Sequence, residues 1–171
     1  MSYMDKLDYT LYFAQSDDDI ALFWEWRDRY VREDILPNCT FEPATEEDYT
    51  WFFSKEYKGV IMDAFYRDSA KLRIVFLQYN GLNVGFAVYV IYHSEDGKCL
   101  IVEFNIDKAY RNNGIGSLFF NLLREHVKSE QATYFALNLS NENNERFWAR
   151  NGFIKAGKDE HGSDTYEKRP L

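Results

Sequence analysis

The sequence predicts a mixed α/β (α+β) fold: a mainly antiparallel sheet of about six to seven strands carrying four helices, in the order β-α-α-β-β-β-α-β-α-β-β. Three observations lead there. LRIVFLQY (72–79), Asn80-Gly81 and NVGFAVYVIY (83–92) read as a hairpin, and a second turn (Ser94 to Lys98) passes to CLIVEFNI (99–106). Next, Ile115, Leu118, Phe119, Leu122, Leu123, His126 and Val127 recur at i, i+3, i+4, i+7, i+8, i+11 and i+12, which is one face of a long helix. A further strand, ATYFALNLS (132–140), then follows. A strand–helix–strand unit over 99–140 requires a parallel neighbour for CLIVEFNI, so the sheet is mixed.

The remaining elements follow the same rules. YTLYFAQ (9–15) alternates and reads as the first strand. Ser16 caps a helix over 17–32, whose opening Asp17, Asp18 and Asp19 suit the positive end of the dipole. Ile20, Phe23 and Trp24 share one face of it. Residues 33–44, with Pro37 and Pro43, read as a loop. Thr45-Glu46-Glu47-Asp48 fits a capping box and opens a second helical region running toward Asp68. Asn141–Asn151 is a short helix stopped by Gly152. FIKAGK (153–158) and DTYEKR (164–169) form a terminal hairpin around His161-Gly162.

The chain has 171 residues, 46% hydrophobic, enough for one domain spanning 1–171 to fold without a disulfide or metal. Cys39 and Cys99 are far apart, and His93, His126 and His161 have no zinc-ligand spacing. His126 reads as a packed or edge histidine on the stripe. Residues 1–50 carry 13 acids and 4 bases, whereas 51–171 carry 15 and 16, so the net charge of −8 sits in the first third. No basic stripe is present, which argues against a nucleic-acid partner. The opening MSYMDKLDYT lacks the pattern of a signal peptide, and the longest apolar run, VGFAVYVIY, is too short to span a bilayer. These features predict a cytoplasmic protein with no membrane partner.

The stretch YRNNGIGSLFF (110–120) lies where the CLIVEFNI strand hands over to the long helix. A Walker loop fails here because Ser117 and Leu118 follow Gly116, and a GxGxxG fingerprint fails because position 119 is Phe. What remains is Arg-x-x-Gly-x-Gly at a helix entry. Glycine without Cβ permits close approach of a ligand, and the helix head offers unsatisfied N–H groups and partial positive charge. That combination suits a pyrophosphate; two glycines in a tight turn is the alternative.

Arg111-Asn112-Asn113-Gly114-Ile115-Gly116 resembles the [RQ]-x-x-G-x-[GA] loop of the GNAT N-acetyltransferase superfamily. SNENNERFWARNGF adds a second match, with Asn141, Phe147, Trp148, Gly152 and Phe153 falling on that family's N-x-x-A-x-x-[FL]-Y-x-x-x-G-F pattern. The resemblance covers nearly the whole element order. It implies an acetyl-CoA-dependent N-acetyltransferase with no metal, and a homodimer. Backbone amides over Arg111–Ser117 (Arg111, Asn112, Asn113, Gly114, Ile115, Gly116, Ser117) would hold the CoA pyrophosphate. The strand ending at Ile106 would splay from the strand ending at Ser140. The pantetheine arm would pair with backbone at Phe104, Asn105 and Ile106, and Asn141 would bind it from the other side. A bulge near Asn105 or Ile106 would aim a backbone N–H at the thioester carbonyl.

Transfer to an amine needs a neutral nucleophile, an oxyanion donor and a departing thiolate. An alkyl ammonium has a pKa of about 10, so a base is required. Glu103 stands alone in the apolar LIVEFNI, where apolar neighbours would raise its pKa toward a useful value, and an acid at this point resembles the base of some family branches. Its alternative is an exposed or ion-paired side chain. The Ile106 N–H would hold the oxyanion. Two departures stand out. Trp148 occupies the position of the family's tyrosine acid, yet an indole N–H does not release its proton. Asn144 stands where alanine is usual. Tyr134 and Ser140 are conceivable substitutes for the acid, and Trp148 reads either as cofactor wall or as core. Trp24, Glu25, Trp26, Asp28, Tyr30, Glu33, Asp34, Glu42, Glu46, Glu47, Asp48 and Trp51 make the expected acceptor wall acidic and aromatic. Such a wall suits a small cationic amine or a peptide N-terminus; Phe23, Trp24 and Phe52 as core is the alternative. A non-catalytic acyl-CoA-binding module is the rival function.

Overall fold

A computed structural model describes residues 8–171; most of the polar N-terminal stretch, residues 1–7, lies outside the described residues. One sheet of seven strands organises the fold: β1 (Tyr9–Phe13), β2 (Leu72–Tyr79), β3 (Leu82–Tyr92), β4 (Lys98–Ile106), β5 (Tyr134–Asn138), β6 (Ile154–Lys158) and β7 (Asp164–Lys168). Their spatial order is β1-β2-β3-β4-β5-β7-β6, with β4 and β5 parallel and every other neighbour antiparallel. The helices are α1 (Asp17–Tyr30), α2 (Glu46–Phe52), α3 (Lys55–Tyr66), α4 (Ile115–Ser129) and α5 (Glu142–Arg150).

The described residues thus form five α-helices where the sequence predicts four, because the region after Thr45 is interrupted. Phe53 ends α2 with φ −109°, and Ser54 restarts the chain as an N-cap that accepts from the Tyr57 amide. The segment expected as a loop after α1 is partly helical: a π turn at Val31–Ile35 and a 3-10 turn at Leu36–Asn38. Both expected N-caps form full capping boxes, Ser16 with Asp19 and Thr45 with Asp48. Asn80 and Gly81, both at positive φ, make the tight β2–β3 turn.

Both faces of the sheet are covered, which is why β2 and β3 read as nearly continuous apolar runs. On one face, Phe119, Phe120, Leu123 and Val127 of α4 and Trp148 of α5 pack on Val75, Leu77, Tyr89 and Phe135. On the other, Phe23, Trp24 and Trp26 of α1 pack on Ile74, Phe76, Phe86 and Val88. His126 is a packed edge histidine, its ring 4.6 Å from Phe13 and its Nε2 3.0 Å from Glu130.

Two irregularities of β4 give the sheet an open edge and a change of face. First, its parallel pairing with β5 covers only Lys98–Leu100 against Tyr134–Ala136. Beyond that β5 continues against β7, and β4 runs on from Ile101 to Ile106 with no strand beside that edge among the described residues. Second, the register with β3 shifts between Val88↔Glu103 and Tyr89↔Ile101, leaving Val102 as a bulge. The expected bulge near Asn105 or Ile106 therefore lies farther upstream. Around it the faces change: Cys99 and Ile101 face α4, Val102 and Glu103 both turn toward α1, and Phe104 and Ile106 return to the α4 side.

Gly85 sits opposite Ile106, where β4 leaves the sheet. A Cβ there would lie 2.7 Å from the Asn105 carbonyl oxygen and 2.9 Å from Ile106 Cδ1. Gly85→Ala should therefore destabilise the protein by about 1–3 kcal/mol through overpacking against main chain; urea unfolding measures it, and an unchanged midpoint would contradict the close approach.

Candidate active site

Residues 111–117 form the handover from β4 to α4. Asn112 and Gly114 adopt positive φ, +65° and +76°, with Asn113 between them. Gly114 is the N-cap of α4, and no side chain caps this helix. The first bond of the helix ladder runs from the Leu118 amide to the Gly114 carbonyl, so the amides of Ile115, Gly116 and Ser117 lie ahead of it. A Cβ on Gly114 would meet nothing within 4 Å, so this face of the loop is open. Gly116 has a different reason to be glycine. A Cβ there would lie 2.9 Å from Phe147 Cε2, so Gly116 lets α5 close on α4. The two glycines thus divide the work, one keeping the loop open and one allowing helix packing.

The Arg111 side chain turns back into the protein. Its Nε donates to the Ile106 carbonyl at 2.6 Å, and its Nη2 donates to Asn105 Oδ1 at 2.9 Å and Asp34 Oδ2 at 3.0 Å. Lys108 takes the other oxygen of Asp34 at 3.1 Å. The C-terminal end of β4 is thereby tied to the π turn after α1. Asn113 Nδ2 donates to the Arg111 carbonyl at 3.3 Å, and Ser117 Oγ accepts from Asn151 at 3.3 Å. Asn141 is buried and caps α5, its Oδ1 accepting from the Asn144 amide at 2.8 Å.

The unpaired edge of β4 can be read by parity. The Asp107 amide donates to the Val84 carbonyl at 2.9 Å, so along an antiparallel ladder residues 105 and 103 also direct their amides to β3. Phe104 and Ile106 then point the other way, toward the gap left by β5. Their carbonyls are met by side chains, Phe104 by the Tyr30 hydroxyl at 3.2 Å and Ile106 by Arg111. A polar cavity of about 190 Å³ opens beside them, bounded by Tyr30, Asp34, Asn105 and Arg111.

Glu103 lies under α1 and α3. Its Oε1 accepts from Arg27 Nε at 3.1 Å, while Oε2 is buried without a partner among the described residues, as is Arg27 Nη2. The Arg27 guanidinium is itself buried: Nη1 donates to Asp28 and to the Phe52 carbonyl at 2.5 Å, and the Tyr57 ring lies 4.7 Å from Cζ. Burial pushes the Glu103 carboxyl up to about 7, against the pull of Arg27 and with a further push from Asp28. The ion-pair alternative is thus realised, but toward a helix on one face rather than across the sheet. Arg27 was discoverable, because it falls in phase with Phe23 and Trp24 on the apolar face of α1.

The acid question changes with the structure. Trp148 is 5% exposed and packs by its edges and faces against Phe104, Phe120, Phe147 and Phe153. Tyr134 pairs with Lys98 and donates to the Glu95 carbonyl, eight residues and about 25 Å along β4 from Ile106; it is no substitute acid. The Ser140 carbonyl accepts from the Thr40 and Phe41 amides at 3.0 and 3.3 Å, binding the loop after α1 to the end of β5. Of the aromatic residues expected to wall the acceptor, Trp24 and Trp26 are core, together with Phe23, whereas Trp51 is exposed, as are Phe41 and Tyr49 near Glu42, Glu46 and Glu47.

An open strand edge beside a helix entry with unspent amides can take an extended, anionic acyl carrier. A model described as the acetyltransferase (GNAT) family matches residues 16–153, and the chain belongs to that family of acetyltransferases. No curated protein matches it in sequence. Among solved structures it is similar to the PaiA N-acetyltransferase of Thermoplasma acidophilum in complex with coenzyme A, at TM-score 0.66 and 16% identity over 94% of this chain and 99% of that one. It also resembles the ribosomal-protein-S18-alanine N-acetyltransferase of Escherichia coli, at TM-score 0.57 and 13% identity over 95% and 94%. N-acetylglutamate synthase of Neisseria gonorrhoeae, complexed with coenzyme A and N-acetyl-glutamate, matches at TM-score 0.61 and 14% identity over 95% of this chain and 35% of that one.

The buried pair has a pH signature. Because Glu103 is raised from 4.5 to about 7, its contribution to stability is full below about 4.5 and is lost as pH climbs through about 7. Arg27→Met should cost about 3–5 kcal/mol at alkaline pH, where it strands a buried carboxylate. It should cost less under mildly acidic conditions, where Glu103 takes a proton. Denaturant titrations at pH 8.5 and 5.5 compare the two, and equal losses would contradict the pairing.

Proposed function

We propose that the protein moves an acetyl group from acetyl-CoA to a primary amine by direct attack in a ternary complex. The observation that carries this reading is the unpaired edge of β4 at Phe104–Ile106, adjoining the uncapped head of α4, where the amides of Ile115, Gly116 and Ser117 precede the first bond of the helix ladder. In this reading the pyrophosphate of the donor substrate rests on amides of Asn112, Asn113, Gly114, Ile115, Gly116 and Ser117. Arg111 braces the loop from behind by holding Ile106 and Asp34. The pantetheine arm lies along Phe104, Asn105 and Ile106, with Asn141 fixing the head of α5 on its far side and Trp148 backing the wall through Phe104 and Phe147.

The chemistry follows from charge. The Ile106 amide, directed to the open edge by parity, stabilises the oxyanion as nitrogen attacks the acetyl carbon. Glu103, through its unpaired Oε2 and a water, takes the proton the amine sheds. A carboxyl raised to about 7 is ionised often enough at neutral pH to act as base and is basic enough to be useful.

The acceptor is proposed from the wall after α1. The structural neighbours are named for acceptors as different as glutamate and a protein alanine, so the fold alone does not choose. Exposed Phe41, Tyr49 and Trp51 among Glu42, Glu46, Glu47 and Asp48 favour a cation, either a small amine or a peptide N-terminus. One observation favours the rival, a non-catalytic acyl-CoA-binding module: no phenol stands at position 148.

An amine and peptide panel followed by thiol release from acetyl-CoA tests the function; tight acetyl-CoA binding with no thiol released on any acceptor would support the rival. Glu103→Gln should lower kcat by about 100-fold with little change in acetyl-CoA affinity. It should also remove the rise of kcat as pH passes about 7, the point at which Glu103 becomes ionised. Gly114→Trp, which fills the open face of the loop, should abolish acetyl-CoA binding in calorimetry, and normal affinity would overturn the loop assignment.

A further inference from the structure

Tyr30 is the last residue of α1. Its ring stands edge-on to Phe86, centroids 5.8 Å apart at 87°, and its hydroxyl reaches the Phe104 carbonyl. That carbonyl lies on the strand edge an acyl carrier would occupy. A peptide-like arm pairing with the edge must offer its own N–H to Phe104, which displaces the Tyr30 hydroxyl and leaves it at the reaction centre. Tyr30 also lines the polar cavity shared with Asp34, Asn105 and Arg111.

We propose that Tyr30 is the acid of the reaction, donating its hydroxyl proton to the departing sulfur in place of the tyrosine that position 148 lacks. The inference rests on the acetyltransferase reading above. As nitrogen bonds to the acetyl carbon, the amine proton passes to Glu103. The tetrahedral adduct then collapses: the C–S bond breaks, its electron pair stays on sulfur, and the Tyr30 O–H proton moves to that sulfur. Glu103 returns its proton to the phenolate through water. Amide and free thiol leave, and both side chains regain their starting states.

The surroundings of Tyr30 fit a relay better than a store of charge. Burial first, then the negative charges of Glu103 and Asp34, raise its pKa, with Arg111 opposing. The phenol is therefore protonated whenever the donor binds. A phenolate there is unfavourable, so the proton must be replaced as it leaves. Protonated Glu103, at about 7, can supply it, since a thiol of about 8.5 is the weaker acid. The step runs downhill from carboxyl to sulfur with the hydroxyl as its bridge.

Tyr30→Phe keeps the ring on Phe86 and removes only the hydroxyl, so the variant should fold with a melting midpoint close to that of the wild type. With an acceptor from the panel, its kcat should fall by about 10- to 100-fold, at the low end for a lost acid because a thiolate leaves tolerably unaided. Calorimetry should give an acetyl-CoA affinity within threefold of wild type, or tighter, because the Phe104 carbonyl no longer has to be vacated. A kcat within threefold of wild type would overturn the proposal. So would a tenfold loss of acetyl-CoA affinity, which would make Tyr30 a binding contact. If instead wild-type protein binds acetyl-CoA and acetylates no amine, the enzymatic reading itself fails and this inference falls with it.

Discussion

The structure depends on a ladder that stops early. β4 and β5 pair over three residues and then part, leaving six residues of β4 inside a sheet with no neighbouring strand on one side among the described residues. Backbone polar groups in such a place cannot be left unmet without a free-energy cost. The protein answers the carbonyls and not the amides. Tyr30 from α1 takes Phe104, and Arg111 from the loop takes Ile106. By the same parity the amides of these two residues remain directed into the gap. Without a ligand, side chains cover the acceptors of this edge and its donors point into the gap, so an incoming carbonyl oxygen meets a ready partner, while an incoming N–H reaches the Phe104 carbonyl only by displacing the Tyr30 hydroxyl. The two side chains that answer the carbonyls also set where α1 and the β4–α4 loop lie against the strand.

A single inserted residue decides which chemistry faces which layer. Strict alternation from Ile101 would send Glu103 toward Phe119 and Phe120, into a core with no cation to receive it. The bulge at Val102 reverses the sequence of faces. Glu103 meets Arg27 beneath α1, and Phe104 joins the aromatic cluster of α4 and α5, 4.9 Å from Phe119. The base candidate and the wall of the gap thus come from adjacent residues on opposite sides of one strand.

Much of this was legible in the residues. The strand meander, the N-caps at Ser16 and Thr45, the α4 stripe and the glycine handover follow from period and turn chemistry acting over short distances. So does the raised pKa of Glu103, since a lone acid in LIVEFNI has apolar neighbours whatever it pairs with. Most of the misses are long-range. Gly116 looks like Gly114 in sequence, and only the approach of Phe147, from a helix beginning 26 residues later, separates their roles. The bulge at Val102 has no local signature, because either neighbour of an apolar run can be the extra residue. The split of α2 from α3 turned on Ser54, a second N-cap hidden inside a helical pattern. Arg27 and Glu103 are each a charge out of place in an apolar pattern, and pairing two such anomalies is a rule that would have joined them across 76 positions.

That pair also explains how a costly arrangement persists. An apolar pair of similar volume in place of a buried ion pair is often neutral or stabilising. Arg27, however, does more than neutralise Glu103. Through Nη1 it holds the Phe52 carbonyl at the end of α2, and its guanidinium packs on Phe53 and on Tyr57 of α3. Neither α2 nor α3 buries any residue fully, so this helix pair has little core of its own. The acidic, aromatic wall is therefore suspended from the same cation that sets the state of the carboxyl below it. Any displacement of α2 and α3 is felt by Arg27, and through Arg27 by Glu103. An apolar replacement would preserve the packing but cut this link, which is a physical reason for a charge to stand in the core at position 27.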